Sequence, residues 1–171
     1  NDWTYAEIAK RHPEAFIVLV GHMGNGSVAE GLYQRLRPHF EHRGLEIDNH
    51  LRILPRLDYG DFMGLFAISH HTIDTIDWNG GNSSMQAFSL DCPVVTLPTA
   101  FMRGRHTVAM LEVLELPELI ASNADDYVAI SCRLLDDEGF YRQMREAIHE
   151  RKPRLVHAKS VAQASQVEVE R

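Results

Sequence analysis

No stretch of this chain is long and apolar enough to cross a bilayer, and its first residues carry no secretion-signal pattern. Cysteine is scarce. The two present, Cys92 and Cys132, have no metal-ligand spacing and form no disulfide framework, which points to a reducing, cytoplasmic setting. Carboxylates outnumber lysine and arginine by 24 to 17, giving a formal charge of −7. That balance argues against a broad nucleic-acid surface. There is no Asp-x-Asp pair, no GxGxxG fingerprint and no Walker lysine. The His70-His71 pair does not fill the gap, because neighbours on a strand point to opposite faces. Without converging ligands, no metal is expected. Internal repeats and low-complexity segments are also absent.

What remains is the composition of an ordinary globular domain, 44% hydrophobic and 24% charged over 171 residues. A short helix from Asp2 to His12 is expected, stopped by Pro13. The run Ala15-Phe16-Ile17-Val18-Leu19-Val20-Gly21 then reads as a strand buried on both faces. A glycine-rich turn, Gly21 to Gly26, leads to a helix near Ser27–His39. Leu51–Leu54 is a second strand, closed by Pro55. Tyr59–Ile68 is helical, with Phe62, Leu65 and Phe66 on one face. A third strand is expected over His71–Ile76 and a fourth over Val94–Leu97. Three helices complete the pattern. One runs from Arg103 to about Leu114. The next is capped by Asn123, with Asp126 at its third position and a Tyr127, Ile130, Leu134 stripe. The last carries Phe140, Met144, Ala147 and Ile148 and ends near Pro153.

Strands alternating with helices imply a doubly wound, mainly parallel α/β sheet of the Rossmann kind. Residues 1–154 make that domain, and residues 155–171 are a polar tail or helix. Ligands in such sheets bind beyond the carboxyl ends of the strands. The loops after Val20, Leu54, Ile76 and Leu97 therefore share one crevice, and the basic residues Arg56, Arg103, Arg105 and His106 fall at its edge.

The segment with most chemical content is Trp78-Asn79-Gly80-Gly81-Asn82-Ser83-Ser84, followed by Met85-Gln86-Ala87-Phe88-Ser89-Leu90. Glycines, an amide and two hydroxyls stand where a loop becomes a helix. The first N–H groups of a helix have no partner within it, and the helix dipole adds partial positive charge there. Such a junction grips phosphate. An ordinary N-cap formed by Asn82 or Ser83 is the competing reading.

From Ile53 to Arg154 the chain resembles the C-terminal half of glycosyltransferase family 41, the SPINDLY and O-GlcNAc transferase group, in its bacterial branch. The resemblance rests on Leu54-Pro55-Arg56, Asp61-Phe62, Ile73-Asp74 and the Trp78–Ser84 run. It continues through Cys92-Pro93-Val94-Val95-Thr96-Leu97-Pro98, Phe101-Met102-Arg103-Gly104-Arg105-His106 and Glu118-Leu119-Ile120-Ala121. It implies one half of a GT-B fold that binds a nucleotide-sugar, UDP-linked, without a metal or other cofactor. Asn82-Ser83-Ser84, with Gly80 and Gly81, matches the helix start that holds the donor diphosphate. Leu57 matches a position whose backbone lies by the nucleobase. Gln86 stands where the animal enzymes have an aspartate that bonds the ribose. Gly81 and Phe62 replace pocket histidines, and Arg105 matches a family arginine, with Arg103 and His106 beside it.

The resemblance also implies a protein or peptide acceptor, an N-terminal GT-B half and upstream tetratricopeptide repeats. The lysine that neutralises the leaving diphosphate in the animal enzymes has no matching segment here. The chain is thus expected to be an incomplete, inactive portion with no assignable catalytic base. Two other readings stay open. One is a non-hydrolysing sugar-nucleotide epimerase domain; the other is a non-catalytic nucleotide- or protein-binding module.

Overall fold

The computed structural model describes residues 2–21 and 27–156. The glycine-rich residues 22–26 and the tail 157–171 lie outside the described residues. The main chain runs α1 (Trp3–Arg11), β1 (Ile17–Val20), α2 (Ser27–Glu41), β2 (Leu51–Leu54), α3 (Tyr59–Ile68), β3 (Thr72–Ile73), α4 (Asn82–Ser89) and β4 (Val94–Val95). It continues through α5 (His106–Val113), α6 (Ala124–Asp136), α7 (Glu138–Arg151) and α8 (Pro153–Val156).

All strand pairing among the described residues is parallel. β1 lies on β2 with Ile17 opposite Leu51, and β3 lies on β4 with Thr72 opposite Val94. A parallel bridge from Thr96 to Ile120 extends the second ladder. The expected α/β architecture is therefore present, laid out as two short parallel ladders. Helical crossovers between parallel strands produce this arrangement. Ile73 ties the ladders together. It packs against the cluster around Val94, Val95, Leu111 and Phe140, against that around Ile17, Leu36, Phe40 and Leu51, and against Ile8 and Val128.

Several helix readings hold at the level of single residues. Phe140, Met144, Ala147 and Ile148 are all buried on α7. On α3, Phe66 is buried and Phe62 meets it edge-on at 4.9 Å. Asn123 caps α6 by accepting the Asp126 N–H at 3.0 Å. Pro153 ends α7 as expected but also begins α8, where a missing N–H costs nothing.

Several boundaries differ. β1 spans Ile17–Val20 rather than the whole Ala15–Gly21 run, and β4 ends at Val95 rather than Leu97. β3 spans only Thr72–Ile73, so Asp74 to Ile76 follow it, and His70 and His71 precede the strand rather than alternate along it. Their rings meet, Nδ1 to Nδ1, at 3.2 Å, and His70 stacks on Tyr141 at 3.8 Å. The helix expected from Arg103 starts instead at His106. Met102–Gly104 forms a 3₁₀ turn, because Gly104 packs so tightly on Thr99 that a Cβ there would collide with its hydroxyl.

Candidate functional site

The carboxyl ends of β3 and β4 lead into two loops that clasp each other. The Arg103 Nε donates to the Asp77 carbonyl at 3.3 Å, and the Asn79 N–H donates to the Arg103 carbonyl at 2.8 Å. The Arg103 guanidinium lies over the rings of Trp78 and Phe101, at 5.6 and 4.9 Å from their centroids. Asp77 adopts the left-handed region, φ 74°, a strained conformation for a non-glycine residue. Two side-chain oxygens of these loops, Asn79 Oδ1 and Thr99 Oγ1, are buried without a hydrogen-bond partner among the described residues. The expected meeting of the Trp78–Ser84 run with the basic Arg103–His106 segment is thus realised.

Under the loop sits a buried polar network. Asp74, only 5% exposed, accepts the Gly80 N–H at 2.7 Å and the Thr96 hydroxyl at 2.9 Å. Its carbonyl accepts the Tyr127 hydroxyl at 2.8 Å. Burial pushes the Asp74 carboxyl above the ordinary carboxylate range, although hydrogen bonds from Thr107, Gly80 and Thr96 pull it back in part. The Thr107 hydroxyl donates to the Gly80 carbonyl at 3.2 Å and lies 2.8 Å from that of Ser84. Gly80 fits because it has no side chain. A Cβ there would collide with the hydroxyls of Ser83 and Ser84.

α4 begins on this platform with Gly81 as its N-cap and no side-chain cap. The ordinary cap considered for Asn82 or Ser83 is therefore not formed. Asn82 is instead the first helical residue and is exposed. Among the described residues, the N–H groups of Asn82, Ser83 and Ser84 have no hydrogen-bond partner. A Cβ on Gly81 would meet only open space. Ser84 departs from the reading of a free hydroxyl donor. It is 3% exposed and its Oγ lies 2.8 Å from that of Thr107, so its hydroxyl is committed to the interior.

Arg105 and His106 are exposed at the start of α5, and neither side chain has a partner among the described residues. Gln86 lies one turn along α4 from Asn82 and is half-buried. Leu57 is in the link between β2 and α3, where Asp58 caps α3. No hydrogen bond joins Leu57 to the α4 loop among the described residues. A cavity of about 300 Å³ opens at the end of β3 beside Tyr5, Arg35, Thr75, Asp77 and Tyr127. Gly80–Ser84 do not line it; Asn82 is exposed and the space beside Gly81 is open. Sequence reasoning missed the organising role of Asp74. The signal available was a carboxylate at a strand end, directly after Thr72-Ile73 and three residues before Asp77.

Residues 67–164 match the model of glycosyl transferase family 41. The chain belongs to that family. Three curated relatives carry the corresponding names. UDP-N-acetylglucosamine–peptide N-acetylglucosaminyltransferase of Giardia intestinalis is 30% identical over 83 residues, 48% of this chain and 6% of the relative. The protein of that name in Caenorhabditis elegans is 32% identical over 76 residues, 44% of this chain and 7% of its own length. The probable transferase SPINDLY of Arabidopsis thaliana is 24% identical over 122 residues, covering 71% of this chain and 13% of SPINDLY.

A solved point mutant of the O-GlcNAc transferase of Thermobaculum terrenum superposes with a TM-score of 0.80 at 24% identity. It covers 99% of this chain but 32% of the solved chain. That likeness shows the fold, one part of a GT-B architecture. The chain therefore spans a minor part of the family members it matches. Among the described residues, no helix is long and apolar enough to cross a membrane.

Proposed function

We propose that this chain is the donor-binding half of an O-GlcNAc transferase-like glycosyltransferase, taking a nucleotide-sugar, UDP-linked, by its diphosphate at the start of α4. The observation that carries the reading is the set of unpartnered N–H groups of Asn82, Ser83 and Ser84 on a helix that lacks a side-chain cap. Departure of a nucleoside diphosphate builds negative charge on the leaving oxygens. Fixed N–H dipoles stabilise that charge without reorganising during the reaction. Arg105 and His106 add cationic and donor groups from the neighbouring helix start, and Arg103 holds the two loops together. Gln86 supplies an amide for the ribose, and the backbone near Leu57 takes the base. No metal is assigned a part.

The sugar acceptor in this proposal is a protein or peptide, presented by an N-terminal GT-B half with upstream tetratricopeptide repeats. Each half supplies one wall of the cleft, so this chain alone binds nucleotide weakly and transfers nothing. Calorimetric titration with UDP, UDP-GlcNAc, GDP-mannose and uridine tests the reading. UDP and UDP-GlcNAc are expected to bind more tightly than uridine. Equal, negligible heats for all four would overturn it, and an epimerised sugar product would move the chain to the epimerase class.

A further inference from the structure

We infer that Asp74 is a positioning residue for the diphosphate site, acting through Gly80 to aim the N–H groups of Asn82, Ser83 and Ser84 outward; this rests on the donor reading above. The chain leaves β3 at Ile73 and enters α4 at Asn82, so the intervening loop must be held by its own contacts. Asp74 holds it at both ends. Its carbonyl is fixed from below by Tyr127 and its carboxylate grips the Gly80 N–H at 2.7 Å, closing a ring from residue 74 to residue 80. The other face of the Gly80 residue is fixed as well, because its carbonyl accepts from Thr107. With both polar groups of Gly80 engaged, the peptide that leads into Gly81, the N-cap of α4, is held in one place, so the helix start is fixed relative to the network.

The composition of this network argues for a positioning role. Asp74, Thr96, Thr107, Ser84 and Asn79 are all at most 5% exposed and lie beneath one helix start. Burying five polar side chains is a costly way to stabilise a fold, because each must find a partner to offset its lost hydration. What a hydrogen-bonded polar network provides is a single geometry. Here that geometry is imposed on the segment that the proposed ligand touches. The oxygen left over, Asn79 Oδ1, shows that the loop shape is kept even at the cost of an unsatisfied acceptor.

The test compares UDP with uridine, which lacks the diphosphate, on the unsubstituted chain and on the variants Asp74→Asn, Asp74→Leu and Tyr127→Phe. Thermal unfolding is recorded on each. Asp74→Asn keeps an oxygen for Gly80 and is expected to bind UDP within about threefold of the unsubstituted chain. Asp74→Leu keeps the bulk but no acceptor and is expected to lose about tenfold in UDP affinity while uridine binding stays within about twofold. Tyr127→Phe releases only the far end of the ring and is expected to cost about threefold for UDP alone. If Asp74→Leu fails to fold, the Tyr127→Phe and Asp74→Asn pair decides.

Equal losses for UDP and uridine, or full UDP affinity in folded Asp74→Leu or Tyr127→Phe, would overturn the positioning role and leave the donor reading intact. An unsubstituted chain that does not prefer UDP over uridine would overturn both.

Discussion

Arg103 reaches across from the loop after β4 to the carbonyl of Asp77 at 3.3 Å, while the side chain of Arg105, two residues on, is exposed and has no partner among the described residues. The two arginines thus divide the work. Arg103→Ala is expected to loosen the loop clasp, lowering the melting temperature and weakening UDP and uridine alike. Arg105→Ala is expected to leave the melting temperature unchanged and to weaken UDP more than uridine. Calorimetry on both variants checks this, and equal losses for the two ligands in Arg105→Ala would remove it from the phosphate role.

The two glycines ahead of α4 make opposite predictions although they are adjacent. An alanine at Gly80 must displace the Ser83 and Ser84 hydroxyls, whereas one at Gly81 enters open space. Gly80→Ala should destabilise the fold by about 1–3 kcal/mol, the usual cost of forcing extra volume into a packed site. Gly81→Ala should be nearly neutral in stability. Denaturant unfolding of the pair measures the difference.

His71 makes stability fall on mild acidification. Burial, with the neighbouring charges of His70 and His12, lowers its pKa to about 3. In the unfolded chain a histidine titrates near 6.5. Between those values the unfolded state binds the extra proton, so stability is full above about pH 6.5 and declines as pH falls. The slope is at most about 1.4 kcal/mol per pH unit. His70, also shifted down by burial, adds in the same direction. Urea unfolding at pH 7, 6 and 5 should show the decline, and His71→Phe should flatten it.

A second acid-sensitive contact pins α7 to the end of α4. Asp91 lies 2.7 Å from Lys152 Nζ and 3.0 Å from His149 Nδ1. Burial raises its carboxyl, but these two partners outweigh that and hold it below the usual range. A depressed carboxylate stabilises the fold above its unfolded value, near 3.9, and loses that contribution as pH falls through the folded value. Asp91→Asn should lower the melting temperature at pH 7 and have little effect at the acid extreme. High salt should shrink the difference.

The sequence made helices more legible than strands. On α7 the 3.6-residue spacing of Phe140, Met144, Ala147 and Ile148 is unbroken, and burial follows it at each position. The N-terminus of α7 was not legible, because Asp137 is both the end of α6 and the cap that accepts the Phe140 N–H. Periodicity cannot show a break one residue long. β3 reads longer than it is because Asp74 to Ile76 look like its continuation, yet the Asp74 carboxylate turns the chain toward Gly80.

At the site, the meeting of the Trp78–Ser84 run with Arg103 was legible, since both follow neighbouring parallel strands. The inward use of the Ser84 hydroxyl was not. A serine at a helix start looks the same in sequence whether it faces a ligand or, as here, a buried threonine.

The central claim is that a diphosphate seats on the first N–H groups of α4. A crystal structure of this chain with UDP tests it most directly. The account predicts diphosphate oxygens within about 3.2 Å of at least two of the N–H groups of Asn82, Ser83 and Ser84, with the Arg105 guanidinium turned toward them. A diphosphate lodged instead in the cavity beside Tyr5 and Asp77, leaving those N–H groups bare, would contradict it.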